Sequence, residues 1–234
     1  MPDALLRLLL AAAAFVLLHV GVAGSPLRAV LVRRLGKGYL GLFSLLSALS
    51  LAAMIGAYHA AAAPGVNFDL WVTPRWALWL PFVGMPLALF LLVASMTTKS
   101  PTAVGAEALL AAPEPARGVL RLTRHPMLSA FSLWALLHLA ANGDAASVVV
   151  FAAVLVVSVN GMYSIDRKRA AAEAEGWARF AGVTSRLPFA AIASGRNHLA
   201  LAEIGAARPI AGLALWGLLL ASHAWIYGAS PLPW

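Results

Sequence analysis

Residues 127–163 read MLSAFSLWALLHLAANGDAASVVVFAAVLVVSVNGMY. Two apolar runs flank Asn142-Gly143-Asp144, and Asp144 is the only charged residue in the stretch. Glycine accepts positive φ, and Asn and Asp side chains hydrogen-bond their own backbone, so this triplet is a turn signal. The stretch predicts two antiparallel helices joined by a short turn, with Asp144 and Asn142 capping it. Runs this apolar suit a bilayer, where a spanning helix needs about 20 mostly apolar residues.

The same pattern extends outward in both directions. Apolar spans are expected at 5–23, 39–61, 76–96, 127–141, 146–163 and 209–227. Across the 234 residues, 62% are hydrophobic and 11% charged, against roughly a quarter charged in soluble domains. The expected fold is therefore all-α: one integral membrane bundle of about six transmembrane helices over residues 1–234. Only Arg7 and Arg75 fall on one side of this pattern, and the other 15 of the 17 Lys and Arg residues fall on the opposite side. The positive-inside rule then puts both termini on the non-cytoplasmic side. The net charge of +8 is read as loops facing anionic lipid, with no nucleic-acid partner. Arg7, the first apolar run and the small residues Ala23 and Gly24 also fit a cleavable signal peptide. The basic stretch 28–37 instead suits an inside loop between two retained helices.

Local chemistry refines this outline. Ser44, Ala48, Ala52, Gly56 and Ala60 recur every fourth residue, which predicts a flat seam for close helix packing. Pro81, Gly84 and Pro86 predict a kinked third span. Residues 166–180 read as a separate surface helix with Trp177 and Phe180 at headgroup depth. Residues 186–208 form a connector.

The six histidines are His19, His59, His125, His138, His198 and His223, and there is no cysteine. No thiolate ligand is possible, and neither HxxxH nor HExxH occurs. Neutral imidazole is a common metal ligand and the usual axial ligand of haem iron. Any such site must be assembled from different helices. At 1.5 Å of rise per residue, depth pairs His138 with His59 or His223, and His19 with His125. Pairing His19 with His138 requires the first helix to tilt or to run past Ser25-Pro26. Arg124-His125-Pro126 forms a second constellation, because proline starts a helix and leaves an Arg–His pair at the interface. That pair suits either an anionic group, such as a haem propionate or phosphate, or simple snorkelling.

Several stretches resemble the NnrU family of bacterial membrane proteins, which includes the plant 15-cis-ζ-carotene isomerase. They are residues 19–28 (HVGVAGSPLR), 34–47 (RLGKGYLGLFSLLS), 124–144 (RHPMLSAFSLWALLHLAANGD), 187–197 (LPFAAIASGRN) and 223–233 (HAWIYGASPLP). The resemblance implies a multi-span helical protein of the bacterial inner membrane. In the isomerase branch it implies a b-type haem held by histidines, here matching His19 and His138, with Arg124, His125 and His223 as secondary candidates. The plant branch has a cysteine three residues before the second histidine, where this chain has Ala135. A ligand switch of that kind is closed to it.

Three functions follow as expectations. The first is a haem b protein acting as a redox-gated cis–trans isomerase of a polyene, with a hydrophobic substrate from the bilayer and an electron donor. The second is a non-catalytic haem sensor or accessory protein in nitric oxide and denitrification metabolism. The third is a membrane methyltransferase, because Arg-His-Pro also occurs in isoprenylcysteine methyltransferase-like proteins. Against that third reading, the downstream Tyr and acidic residues of those proteins are not evident here.

Overall fold

The computed structural model describes residues 2–233. Its helices are α1 (Pro2–Val16), α2 (Leu27–Leu35), α3 (Gly38–Ala61), α4 (Trp79–Met96), α5 (Pro126–Ala141), α6 (Ala145–Ala172), α7 (Ala174–Val183), α8 (Ala190–Ala193), α9 (Leu201–Ile204) and α10 (Ala207–Tyr227). Beyond α1 the first span continues as a π-helix over Leu17–Ala23. Five helical stretches are long and apolar enough to cross a membrane, and α5 is a shorter apolar helix. Large apolar side chains such as Leu10, Leu45, Leu49 and Trp225 point outward. A membrane bundle presents such surface to lipid, while its helices satisfy their own backbone groups.

Packing follows a chain of neighbours: α10 lies on α4, α4 on α5, α5 on α6, and α6 on α1, which also carries α3. One core joins Leu8 and Ala12 of α1, Met54 and Ala61 of α3, and Ala146 and Ala153 of α6. Another joins Leu91 and Ala94 of α4 to Ala130 of α5 and Ile204 of α9. Two glycines let neighbouring helices approach closely. A Cβ on Gly84 would stand 2.7 Å from the Leu137 methyls, and one on Gly212 would stand 2.8 Å from the Phe90 Cα. At 16 residues, α5 is about 24 Å long, short for a hydrocarbon core of about 30 Å. Its two ends finish in polar clusters of the protein itself.

The turn at 142–144 is as the sequence predicts, with the capping divided between the two residues. Asp144 Oδ1 accepts from the Ser147 N–H at 2.9 Å and so caps the start of α6. Asn142 Nδ2 donates to the His138 carbonyl at 2.8 Å and closes the end of α5. The 62–74 loop folds over this turn: Asn67 Nδ2 donates to Asp144 Oδ1 at 2.6 Å, and the Leu70 N–H donates to the Gly143 carbonyl at 2.8 Å.

Four expectations need correction. The basic stretch 28–37 is helical as α2, bounded by Pro26 and by Gly36 at φ 54°, the proline-start and glycine-stop arrangement of a short helix. The fifth span does not end near residue 163. It continues as α6 through Ala172, because its charged last turns are paired with other segments, and Glu173 then caps α7 through the Gly176 N–H. The small-residue seam on α3 has no partner within the chain: Ser44, Ala48, Ala52, Gly56 and Ala60 are all exposed. α3 packs instead through Met54 and Ala61. In the third span, Pro81 falls in the first turn of α4, where its missing N–H costs little, and only Pro86 lies in the helix interior.

A Cβ on Gly143 would stand 2.0 Å from the Trp71 carbonyl oxygen. Gly143→Ala is therefore expected to destabilise the protein by about 1–3 kcal/mol, read as a lower unfolding midpoint in detergent. Gly41→Ala, in open space on α3, is expected to leave the midpoint unchanged or raise it. Equal midpoints for wild type and Gly143→Ala would contradict the close approach.

Candidate functional site

At the basic end of the bundle, α6 presents Asp166, only 7% exposed. Arg124 meets it with Nη2 at 2.7 Å from Oδ2 and Nε at 3.1 Å. His125 Nε2 donates to Oδ1 at 2.7 Å, and Arg186 Nε donates to Oδ2 at 2.5 Å. The backbones on either side are tied together as well. The Arg124 N–H donates to the Ser185 carbonyl at 2.9 Å, and the Phe189 N–H donates to the Leu122 carbonyl at 2.8 Å. Trp177 and Tyr163 line the two guanidiniums, at 5.7 Å from Arg124 and 4.1 Å from Arg186. Burial pushes the His125 imidazole below its usual range, and the nearby Asp166 carboxylate offsets this only in part. Because the carboxylate accepts, the ring carries a proton on Nε2. Arg124 and His125 thus sit together as the sequence suggests, and the anion they meet is the chain's own.

A second polar cluster ties the connector to the same end. Arg121 grips Glu203 with two bonds, Nε to Oε2 at 2.9 Å and Nη2 to Oε1 at 2.8 Å. The Gly118 N–H also donates to Glu203 Oε2 at 2.6 Å. Arg208 closes the end of α4 by donating from Nε to Thr97 Oγ1 at 2.9 Å.

The histidines within the spans share a different geometry. His19 Nδ1 donates to the Phe15 carbonyl at 2.8 Å, and His138 Nδ1 donates to the Trp134 carbonyl at 2.8 Å. A carbonyl only accepts, so each Nδ1 carries a proton, and among the described residues neither Nε2 has a hydrogen-bond partner. Each ring also lies against the aromatic residue one turn before it, with centroids at 4.4 Å for Phe15–His19 and 5.2 Å for Trp134–His138. Phe43 flanks His19 at 5.5 Å and Phe151 flanks His138 at 4.9 Å. His223 repeats the lock from Nδ1 to the Ala229 carbonyl at 2.8 Å and lies within electrostatic reach of His138. His59 and His198 are exposed.

The expected pairings resolve unevenly. The first helix ends at Gly24 without passing Ser25-Pro26, and His125 turns to Asp166 rather than to His19. Among the described residues, no ring contact joins His19 to His138, and no group of three or more His, Asp or Glu side chains is placed to hold a bare metal ion. Trp134 of α5 and Leu219 of α10 line one apolar crevice of about 160 Å³ with Met85, Ala88 and Leu89. His138 and His223 stand one helical turn beyond those two residues. Sequence reasoning missed Asp166 and Arg186. The usable signal was a lone acid in an otherwise basic helix end, Asp166-Arg-Lys-Arg.

A family model described as NnrU protein matches residues 7–231. No curated protein and no solved structure matches the chain.

Removing Asp166 leaves buried cations without their anion. Asp166→Ala is expected to cost about 3–5 kcal/mol, measured by unfolding in detergent, and a loss below about 1 kcal/mol would contradict the lock. Glu203 supplies a pH signature, because the Arg121 guanidinium holds its carboxyl down at about 2. Its stabilisation is complete above the unfolded value of about 4.3 and fades as pH falls through about 2. The midpoint gap between wild type and Glu203→Gln should hold steady from roughly pH 7 to 5 and close on further acidification. A gap independent of pH would refute the assignment.

Proposed function

The chain belongs to the NnrU family, and from that premise we propose that it is a haem-binding integral membrane protein that acts on a hydrophobic polyene as a cis–trans isomerase. One observation carries the reading: the span histidines are locked through Nδ1, with Nε2 free, among aromatic side chains. An axial imidazole requires that tautomer and orientation, set by the hydrogen bond of its other nitrogen. These imidazole nitrogens are the donors we read as suited to a b-type haem. His138 is the ring we assign to iron, and His19 is the second ligand that the family's motif offers.

A bound haem would supply an iron whose reduced form weakens a double bond by sharing its electrons, so an electron donor is needed. The chain's own contribution is positional. The backbone locks hold the rings, and Phe15, Phe43, Trp134 and Phe151 keep water away. Lipid-facing surfaces between helices admit an apolar substrate from the bilayer. We place the basic end in the cytoplasm and the protein in a bacterial inner membrane, by the positive-inside rule.

The methyltransferase reading gains an acidic neighbour for Arg124-His125 in Asp166. Both carboxylate oxygens are already engaged by Arg124, His125 and Arg186, so they offer a methyl donor no ready acceptor.

Protein purified from haem-replete cells is expected to show a Soret band that weakens or shifts in His138→Ala and in His19→Ala. No Soret band in wild type would refute the proposal. A haem-loaded protein that leaves polyenes unchanged but responds spectrally to nitric oxide would replace the isomerase with a sensor.

A further inference from the structure

The carboxyl end of the first span meets a crowd of cations that the haem reading does not use. Lys168 Nζ donates to the Ala23 carbonyl, and Arg167 Nη2 donates to the Gly24 carbonyl at 3.1 Å. Arg28, at the start of α2, lies with its guanidinium 5.7 Å from the Tyr39 ring centroid and within electrostatic reach of Lys168. Arg169 follows on α6 and pairs with Glu107, which also lies within electrostatic reach of Arg28. Four cations against one carboxylate leave a surplus of three positive charges where three helices meet.

Two buried polar atoms in this region have no hydrogen-bond partner, the Tyr39 hydroxyl and Arg169 Nε. Tyr39 is only 5% exposed. A buried donor left unmade costs about 1–3 kcal/mol, so its environment is incomplete without an acceptor. Among the described residues the Arg28 guanidinium makes no hydrogen bond and no ion pair, and only the residue's backbone N–H is bonded, to the Ser25 carbonyl. The protein thus assembles donors and an excess of positive charge at one place, with Glu107 the carboxylate that balances part of it.

We propose that the junction of α2, α3 and α6 binds a phosphate group, with Arg28 and Lys168 as its cations and the Tyr39 hydroxyl as a further donor. The site lies where the apolar spans end, which is the depth of lipid phosphates, and basic pockets between membrane helices suit anionic headgroups. The source we infer is therefore an anionic phospholipid rather than a phosphate ion from solution. The site is local: Arg33 and Arg34, exposed farther along α2, add to the general field without belonging to it.

The test is thermal unfolding of the full chain in detergent, with added phosphatidylglycerol, phosphatidylcholine or inorganic phosphate. Phosphatidylglycerol is expected to raise the midpoint by about 3–5 °C at roughly tenfold excess over its dissociation constant. Phosphatidylcholine and inorganic phosphate should do little at the same concentration. Arg28→Gln should cut the shift by at least half, and so should Tyr39→Phe, which keeps the ring. Arg33→Gln should retain it. The Arg28 side chain makes no hydrogen bond here and its backbone bond to Ser25 survives the substitution, so the comparison remains readable if Lys168→Gln fails to fold. An undiminished shift in Arg28→Gln, or equal loss in Arg33→Gln, would overturn the site in favour of a diffuse surface field. An equal shift with inorganic phosphate would overturn the lipid as its source.

Discussion

Asp166 holds the basic end of the molecule together. Its carboxylate draws Arg124 and His125 from the start of α5 and Arg186 from the segment after α7. Two segments of the chain, 42 positions before and 20 positions after Asp166, are thereby fixed around the last turns of α6. Burying these groups is unfavourable in isolation, and mutual pairing makes it tolerable. The consequence reaches into the membrane. With Pro126 anchored beside this cluster and Asn142 and Asp144 fastening the far turn, the short helix α5 is tied at both ends. Its depth and rotation are then set, and so is the direction in which His138 faces.

The histidines divide according to what their nitrogens meet. In the polar cluster, His125 uses Nε2 on a carboxylate and is consumed by structure. Within the spans, His19 and His138 spend Nδ1 on backbone carbonyls and keep Nε2 in reserve. The π-helical turn containing His19 adds to the contrast, because wider turns inside helices often accompany functional positions. The charged end builds the frame, and the aromatic-lined imidazoles are the donors we propose for haem iron.

Much of the frame was legible in the sequence because it depends on local or one-dimensional rules. Apolar run length locates the spans, Asn142-Gly143-Asp144 marks the turn, and Asp144 caps α6 as its position implies. What escaped depends on contacts between distant segments. Nothing local says that Asp166 will meet Arg124 and Arg186, so α6 was expected to stop short of its charged turns. The four-residue repeat of small side chains on α3 looks the same whether its partner belongs to this chain or to none. Here the face is exposed. The histidine lock was also invisible, since a ring's tautomer depends on its rotamer, and composition cannot reveal that.

The most direct test of the central claim is electron–nuclear double resonance on protein purified from haem-replete cells and labelled with ¹⁵N at histidine. Strong hyperfine coupling from histidine nitrogen to the paramagnetic iron, with one ring's contribution lost in His138→Ala, is the predicted result. A haem signal without histidine ¹⁵N coupling would contradict it, as would a coupling that survives His138→Ala unchanged.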